Sequence, residues 1–277
     1  MKHSHAMKSM SEYDKLFPAF QHLATIHKPF EVLWVSEGGS KAWGYDAATS
    51  DMDVKFMYKS TKEHYVNLFD LQDHIEYKQD ESLEMTGWDL RKVLRMALKG
   101  NAQVYELFQS PTVYFTRFDG DRVANEVLPY LQTQLKQVAY HYYGLAFKTF
   151  KERIRNVGEQ VVTKKYLYVL RPLFHVLEMT DTKKLPTLDF HSLMTNVEHM
   201  MPDYVYEASL ELLSRKRAGE LTTSLRESHL EKLDEWLAYT LQEMSTFLHN
   251  DTYFVDNKDD YVKASKQFNE LYRQLLT

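Results

Sequence analysis

Hydrophobic and polar positions follow two different periods along the chain, and the change comes near residue 87. Before that point, short segments alternate between polar and apolar residues, which is typical of half-buried strands. The apolar run at residues 31–36 ends at two glycines, and this pattern predicts a strand that runs into a turn. The predicted elements of this part are an opening helix over 11–26 and strands over 31–36, 51–58, 74–79 and 82–86.

From residue 87 onward, apolar positions recur at helical spacing, with glycine and proline residues as breaks. We therefore expect an α+β protein. Residues 1–123 should form a domain of helices around a small mixed sheet, and residues 124–277 should form an all-helical domain.

Composition places the chain among ordinary globular proteins, with 277 residues, 44% of them hydrophobic and 26% charged. The absence of cysteine excludes disulfide-linked partners, cysteine metal sites and a thiol nucleophile, and it fits a cytoplasmic location. No apolar run approaches the roughly 20 residues of a membrane helix. The net charge of −5 gives no general attraction to nucleic acid, so any such binding needs a local basic patch.

Two aspartates, Asp51 and Asp53, stand two residues apart on the predicted strand over 51–58. Side chains at this spacing project from one face, with Cα atoms about 7 Å apart. Like charges held this close repel each other unless a cation lies between them. Oxygen ligands on an open face suit Mg²⁺, with Mn²⁺ as the alternative ion. Alone, such a pair is more often a solvated polar face than a metal site.

A glycine-rich turn, Gly38-Gly39-Ser40, lies between the first two predicted strands. Its backbone N–H groups could bind phosphate if a helix begins at Ser40. The turn is not a P-loop, because Tyr45-Asp46 stands where that motif requires Lys followed by Ser or Thr. The turn and the aspartate pair together are more specific than either one alone.

These two features resemble the signature of the DNA polymerase β-like nucleotidyltransferase superfamily. Longer segments are similar to one branch of it, a predicted nucleotidyltransferase family that includes a phage RNA-ligase-associated protein. The segments that carry this resemblance are EGGSKAWGYDAATSDMDVKF, GWDLRKVLRMALKGNAQVYELFQSP, HYYGLAFKTF and KKYLYVLRPLF. They cover roughly residues 31–178. The family usually has arginine where this chain has Lys41 and Lys55, and the positive charge is kept.

The resemblance implies catalysis by two metal ions held by three carboxylates. It implies that Asp51 and Asp53 ligate both ions and that Glu84 is the third carboxylate. Glu84 lies between apolar neighbours on a predicted strand, so its side chain should face away from theirs. The competing carboxylates for this role are Asp80, Glu81 and Asp89.

The resemblance also implies a nucleotide site. Gly39 and Ser40 would bind the β- and γ-phosphates of an NTP. The nucleotide-binding residues expected from the later helix are Lys164, Lys165, Tyr168 and Arg171, with the cations on the triphosphate and the tyrosine ring on the base or sugar. An ordinary solvated helix face is an equally good interpretation of each single lysine there.

A second basic stripe, Arg91, Arg95 and Lys99, has the spacing of one helix face. A solubilising surface is the simpler interpretation of this stripe.

The leading functional hypothesis is a metal-dependent nucleotidyltransferase whose acceptor hydroxyl belongs to an RNA end, a protein or a small molecule. One alternative is a catalytically silent module that binds nucleotide or RNA. Another is a metal-dependent phosphoesterase, in which water replaces the acceptor.

Overall fold

The strands of the protein form one five-stranded sheet and one two-stranded ribbon. They belong to a computed structural model that describes residues 10–69, 72–80, 82–155, 160–220, 222–224, 228–250, 254 and 258–276. The sheet contains β1 (Phe30–Glu37), β2 (Met52–Ser60), β3 (His74–Gln79), β4 (Leu83–Asp89) and β5 (Val113–Thr116). The ribbon contains β6 (Gln160–Val162) and β7 (Thr222–Ser224).

Helices make up most of the described chain, and the expected α+β class with a small mixed sheet is confirmed. They are α1 (Met10–Ile26), α2 (Gly39–Ala42), α3 (Lys62–Tyr65), α4 (Leu90–Leu98), α5 (Ala102–Gln109), α6 (Phe118–Thr133), α7 (Leu135–Phe150), α8 (Thr163–Thr182), α9 (Phe190–Asn196), α10 (Asp203–Arg217), α11 (Ser228–His249) and α12 (Lys258–Leu275). A π-helical turn covers Lys151–Arg155, and a 3₁₀ turn covers Glu198–Met200.

The sheet has the strand order β3-β4-β2-β1-β5. The pair β2–β4 is parallel, and the pairs β3–β4, β1–β2 and β1–β5 are antiparallel. Strands β3 and β4, which are adjacent in the sequence, thus form a hairpin. The parallel pair places β2 and β4 side by side although β3 lies between them in the sequence.

Helix α1 covers one face of the sheet. Its residues Leu16, Phe20 and Leu23 are buried, as the spacing of the apolar positions predicts. The Phe20 ring packs edge-to-face on Phe56 of β2, with ring centroids 5.2 Å apart. Since side chains alternate along a strand, every second residue of β2 faces α1 and the others face the opposite side.

The start of α4 is fixed by Asp89, the last residue of β4. Its carboxylate accepts a hydrogen bond from the backbone N–H of Arg91 at 2.9 Å, which is an N-cap. Strand β4 therefore passes directly into α4, without a loop between them.

The chain forms two compact units. The first contains the described residues of Met1–Ala42, Ser50–Thr133 and Asn257–Thr277, and the second contains those of Trp43–Thr49 and Gln134–Asp256. The domain boundary predicted between residues 123 and 124 stays a prediction. In the structure this point lies inside α6, whose apolar residues Val123, Val127 and Leu131 are all buried.

The second unit is built around α8, which is buried along most of its length. Phe174 of α8 stacks on Phe190 of α9, with ring centroids 6.0 Å apart. Tyr45, from the short segment 43–49, packs edge-to-face on the same Phe190 ring at 5.6 Å. The unit is helical as expected, and the ribbon of β6 and β7 is an addition to that expectation.

A helix that crosses a membrane needs roughly 20 mostly apolar residues. The two longest, α8 and α11, contain 20 and 22 residues, and both carry several charged side chains. Among the described residues, none of the helices has the length and apolar composition of a membrane span.

Candidate active site

Asp53 and Glu84 lie side by side on neighbouring strands. Asp53 belongs to β2 and Glu84 to β4, and the parallel register pairs them directly. Residues paired in this way are about 4.8 Å apart at Cα and project from the same face. Their neighbours Val54 and Met85 belong to the core under α1, so the two carboxylates project from the other face. The structure thus brings together two of the three predicted carboxylates.

Asp51 lies one residue before the start of β2, and its side chain is exposed, as is that of Glu84. Within the described ranges, no group of three or more His, Asp or Glu residues is arranged to hold a metal ion. Asp51 is therefore not gathered with Asp53 and Glu84 into a ready-made centre. The chemistry of the pair nevertheless fits Mg²⁺, which often takes one or two carboxylates and completes its shell with water and substrate phosphates. The three-carboxylate assignment stays a prediction.

The competing carboxylates occupy other positions. Asp89 is fully buried and accepts a hydrogen bond from the Tyr65 hydroxyl at 2.8 Å in addition to its N-cap bond. Asp80, at the end of the β3–β4 hairpin, accepts the backbone N–H of Ser82 at 2.7 Å. Glu81 lies outside the described residues. Of the competitors that are described, both are thus engaged in local structure.

Lys55 neutralises part of the charge of the carboxylate pair. It lies two residues after Asp53 on the same face of β2, and its Nζ is 3.6 Å from Asp53 Oδ1. The same Nζ donates to the Thr86 hydroxyl of β4 at 3.2 Å. Lys55 therefore links the two strands that carry Asp53 and Glu84. The sequence indicated only that its positive charge is kept.

The glycine turn lies against Asp53. Gly39 begins α2 with a φ of +58°, and a Cβ added there would overlap the Asp53 carboxylate. The backbone N–H of Gly38 donates to the Asp53 carbonyl oxygen at 2.6 Å, so this amide is already engaged. Ser40 is half-buried in the first turn of α2. The roles of Gly39 and Ser40 in phosphate binding stay predictions, but the turn and the carboxylate are shown to be in contact.

Glu37 is a buried residue that sequence reasoning missed. It is 4% exposed, and its Oε1 accepts the backbone N–H of Asp53 at 3.0 Å. Its other carboxylate oxygen accepts the Tyr114 hydroxyl. Burial raises the pKa of Glu37, and these two hydrogen bonds oppose the rise. Glu37 therefore holds the backbone of Asp53 in place through this hydrogen bond. Its position at the end of the apolar strand, directly before the glycines, was the available signal.

A group of cations lies at the start of α8 in the second unit. Burial lowers the pKa of Lys165, and the neighbouring charges of Lys164 and Arg153 lower it further. The Lys165 ammonium lies 5.1 Å from the centre of the Tyr168 ring. The predicted residues Lys164, Lys165 and Tyr168 are thus neighbours, and Arg153 of the π-helical turn joins them. Their nucleotide-binding role stays a prediction.

Arg171 has a different environment from the lysines. It is 5% exposed, and its guanidinium lies 3.6 Å from the centre of the Trp43 ring. Trp43 also meets the Tyr168 ring edge-to-face at 6.3 Å. A desolvated cation–π contact of this kind contributes about 2 kcal/mol. Arg171 therefore ties the segment 43–49 to α8, and its predicted contact with a nucleotide remains untested.

The family comparison agrees with the resemblance drawn from the motifs. The family described as "RNA repair pathway DNA polymerase beta family" matches residues 17–274 of this chain. The chain is 34% identical over 194 residues to the uncharacterized protein YcgL of Bacillus subtilis (strain 168), covering 69% of this chain and 71% of that protein. A solved structure, the nucleotidyltransferase-like protein from Exiguobacterium sibiricum 255-15, matches with a TM-score of 0.34 and 11% identity, covering 95% of this chain and 89% of that one.

Proposed function

Because the chain belongs to the RNA repair pathway DNA polymerase beta family, we propose that it moves a nucleoside monophosphate from an NTP to an acceptor hydroxyl. One observation carries this proposal: Asp53 and Glu84 are paired directly in the sheet, and Asp53 is packed against the Gly39 turn. Metal-assisted phosphoryl chemistry needs carboxylate ligands beside a backbone that phosphates can approach closely. This corner of the first unit offers both.

The proposed metal ligands are Asp51, Asp53 and Glu84, with Mg²⁺ as the expected ion and Mn²⁺ as the alternative. When bound, the ions supply charge neutralisation for the triphosphate and lower the pKa of the acceptor hydroxyl. Lys55 and Glu37 keep Asp53 in place through its carboxylate and its backbone N–H, respectively. The exposed carboxylate of Glu84 is available to take the proton of the acceptor hydroxyl.

Two features support the proposed substrates: a cluster of cations in the second unit and the description of the family. The cluster of Lys164, Lys165 and Arg153 in the second unit supports binding of a polyphosphate, because cations held together favour an anionic ligand. The description of the family as part of RNA repair supports an RNA end as the acceptor, ahead of a protein hydroxyl or a small molecule.

A second candidate is a module that binds nucleotide or RNA without turning it over. It is favoured by the lack, within the described part of the chain, of a three-residue group arranged for a metal ion. Such a module would bind NTP in the presence of metal but release no pyrophosphate.

The test is incubation with each α-labelled NTP and either Mg²⁺ or Mn²⁺, together with RNA, protein and metabolite fractions. We expect the label to move to the RNA fraction, with release of pyrophosphate. Asp53→Asn should lower this transfer by at least about 10²-fold, because it removes a charged ligand where charge develops. Asp46→Asn, an exposed aspartate in the preceding segment, is the matched control and should transfer as the wild type does.

The outcomes separate the candidates. Transfer by Asp53→Asn at the wild-type rate would contradict the site. Metal-dependent NTP binding without pyrophosphate release would support the silent module. Incorporation of oxygen from labelled water into the product would instead indicate a phosphoesterase.

A further inference from the structure

A groove of about 530 Å³ lies between α4 and α12, both in the first unit. Its polar lining includes Arg91, Arg95 and Lys266, and its floor is apolar, with Phe268 the most deeply buried aromatic residue. The lining spans residues 91–98 of α4 and 265–272 of α12, which are seven helical steps each, so the groove is about 10 Å long. None of the residues assigned above to catalysis lines it.

The cations of the groove stand on both of its walls. Arg91 and Arg95 are one helical turn apart on α4, and Lys266 faces them from α12. Arg95 and Lys266 are exposed and form no ion pair within the part of the chain that is described. The basic stripe predicted from the sequence thus continues across the groove, whereas Lys99, its third expected member, does not line it.

Tyr272 lines the groove together with Arg91 and Arg95. Burial raises the pKa of Tyr272, while the nearby charges of Arg91 and Arg95 lower it and that of Asp89 raises it. Asp89 is fully buried, and its carboxylate oxygens accept the backbone N–H of Arg91 and the Tyr65 hydroxyl rather than a side-chain cation of the groove. The groove therefore combines cations with the half-buried aromatic ring of Tyr272.

We propose that this groove binds single-stranded nucleic acid, with Arg91, Arg95 and Lys266 on the phosphates. Proteins that bind single strands combine a positive groove with aromatic and apolar surface on which bases can lie. A single triphosphate would be bound best by cations gathered at one point. Here the cations are spread along two helices, which suits a ligand with repeated charges.

Binding of a strand in the groove needs neither metal nor NTP, so it is a separate activity from the proposed transfer reaction. The start of α4 lies about 17 Å along β4 from Glu84, since Asp89 comes five positions after Glu84 on the strand. A stacked strand rises 3.4 Å per nucleotide, so about five nucleotides cover this distance. A probe of twelve nucleotides is therefore long enough to occupy the groove.

The experiment measures binding of fluorescein-labelled twelve-nucleotide RNA, and of DNA of the same sequence, to the full chain by anisotropy. The variant R95Q/K266Q removes one exposed cation from each wall. The matched control K99Q/K263Q removes one exposed cation from each of the same two segments, outside the groove lining. Arg91 is left intact because its guanidinium lies over the Tyr65 ring.

We expect R95Q/K266Q to weaken binding about tenfold at low salt, since two surface charges contribute roughly 0.7 kcal/mol each. The slope of log K against log salt should fall by about 1.4, which corresponds to two lost phosphate contacts on a single strand. The control should change affinity less than twofold. If RNA, DNA or both bind with this loss of affinity and this change in salt dependence, the result supports the groove as the binding site.

Three results would overturn the inference: unchanged binding by R95Q/K266Q, equal weakening by K99Q/K263Q, or weakened binding of inorganic tripolyphosphate with strand binding intact. Failure of the transfer reaction is a separate result. The variant Asp53→Asn should bind the strand as the wild type does, whether or not the wild type transfers label.

Discussion

Replacement of Gly39 by alanine tests the contact on which the candidate site depends. Gly39 has a φ of +58°, which lies in the left-handed region that side chains disfavour. The added Cβ would also lie 2.7 Å from Asp53 Cγ and closer still to one carboxylate oxygen. Asp53 Cβ would itself lie 2.8 Å away, so rotation of the side chain cannot relieve the overlap. Either the turn or β2 must therefore move, and the position of the Asp53 carboxylate relative to the turn changes.

The expected destabilisation has two parts. The left-handed backbone costs about 1–2 kcal/mol for a residue with a Cβ. The overlap adds about 1–3 kcal/mol, the usual cost of overpacking a well-packed site. Gly219 is the matched control, because its φ is +81° but an added Cβ there would meet nothing within 4 Å. Gly219→Ala should thus show only the cost of the left-handed backbone, without the cost of overlap.

The two glycines lie in different compact units, so the assay must report on each unit separately. Hydrogen exchange in increasing urea does this, with peptides from β2 for Gly39 and from α10 for Gly219. We expect Gly39→Ala to lower the free energy of unfolding in β2 by about 1–3 kcal/mol more than Gly219→Ala lowers it in α10. If transfer activity is present, a displacement of Asp53 by about 1 Å should lower it about 10²-fold.

A double variant isolates the contact itself. Asp53→Gly removes the atoms that the new Cβ would overlap, so Gly39→Ala/Asp53→Gly should be less destabilised than the sum of the two single variants. Equal effects of Gly39→Ala and Gly219→Ala, together with additive behaviour of the double variant, would refute the reasoning.

Two further variants test the second unit. Burial raises the pKa of Asp234 from 3.8 to about 6, so ionisation is disfavoured in the folded state. This penalty on stability is absent below about pH 4, grows between about pH 4 and 6, and is constant above that range. Asp234→Asn should remove this loss between pH 4 and 7, measured as the urea midpoint, whereas Glu235→Gln on the exposed side should keep it. Arg171→Lys should cost about 1–2 kcal/mol and alter the fluorescence of Trp43, because a lysine cannot reproduce the planar stacking; an unchanged midpoint would refute that role.

Much of the first unit could be predicted because its elements have local signals. The two-residue period of β2 and the buried positions of α1 follow directly from the order of apolar residues. The pairing of Asp53 with Glu84 could not be predicted from pattern alone, since parallel strands are joined by a crossover whose register no turn fixes. The resemblance to a family supplied Glu84 instead.

Other features lack any local signal. Glu37 is buried because Tyr114 and the backbone of Asp53 satisfy its carboxylate, and neither partner is near it in the sequence. Arg171 resembles an exposed phosphate ligand in the sequence, but its guanidinium is covered by Trp43. The three-residue strands β6 and β7 are too short to show a period.

The return of α12 to the first unit has a consequence for synthesis of the protein. Residues 258–275 come after the whole second unit in the chain, yet Phe268 and Leu271 are buried in the first. Lys59 of β2 even donates to the carbonyl oxygen of Leu275 at 3.1 Å. On the ribosome the first unit must therefore wait, with an apolar surface uncovered, until translation has passed residue 275. Nascent chains cannot form the groove between α4 and α12, so only molecules translated through this helix can acquire it.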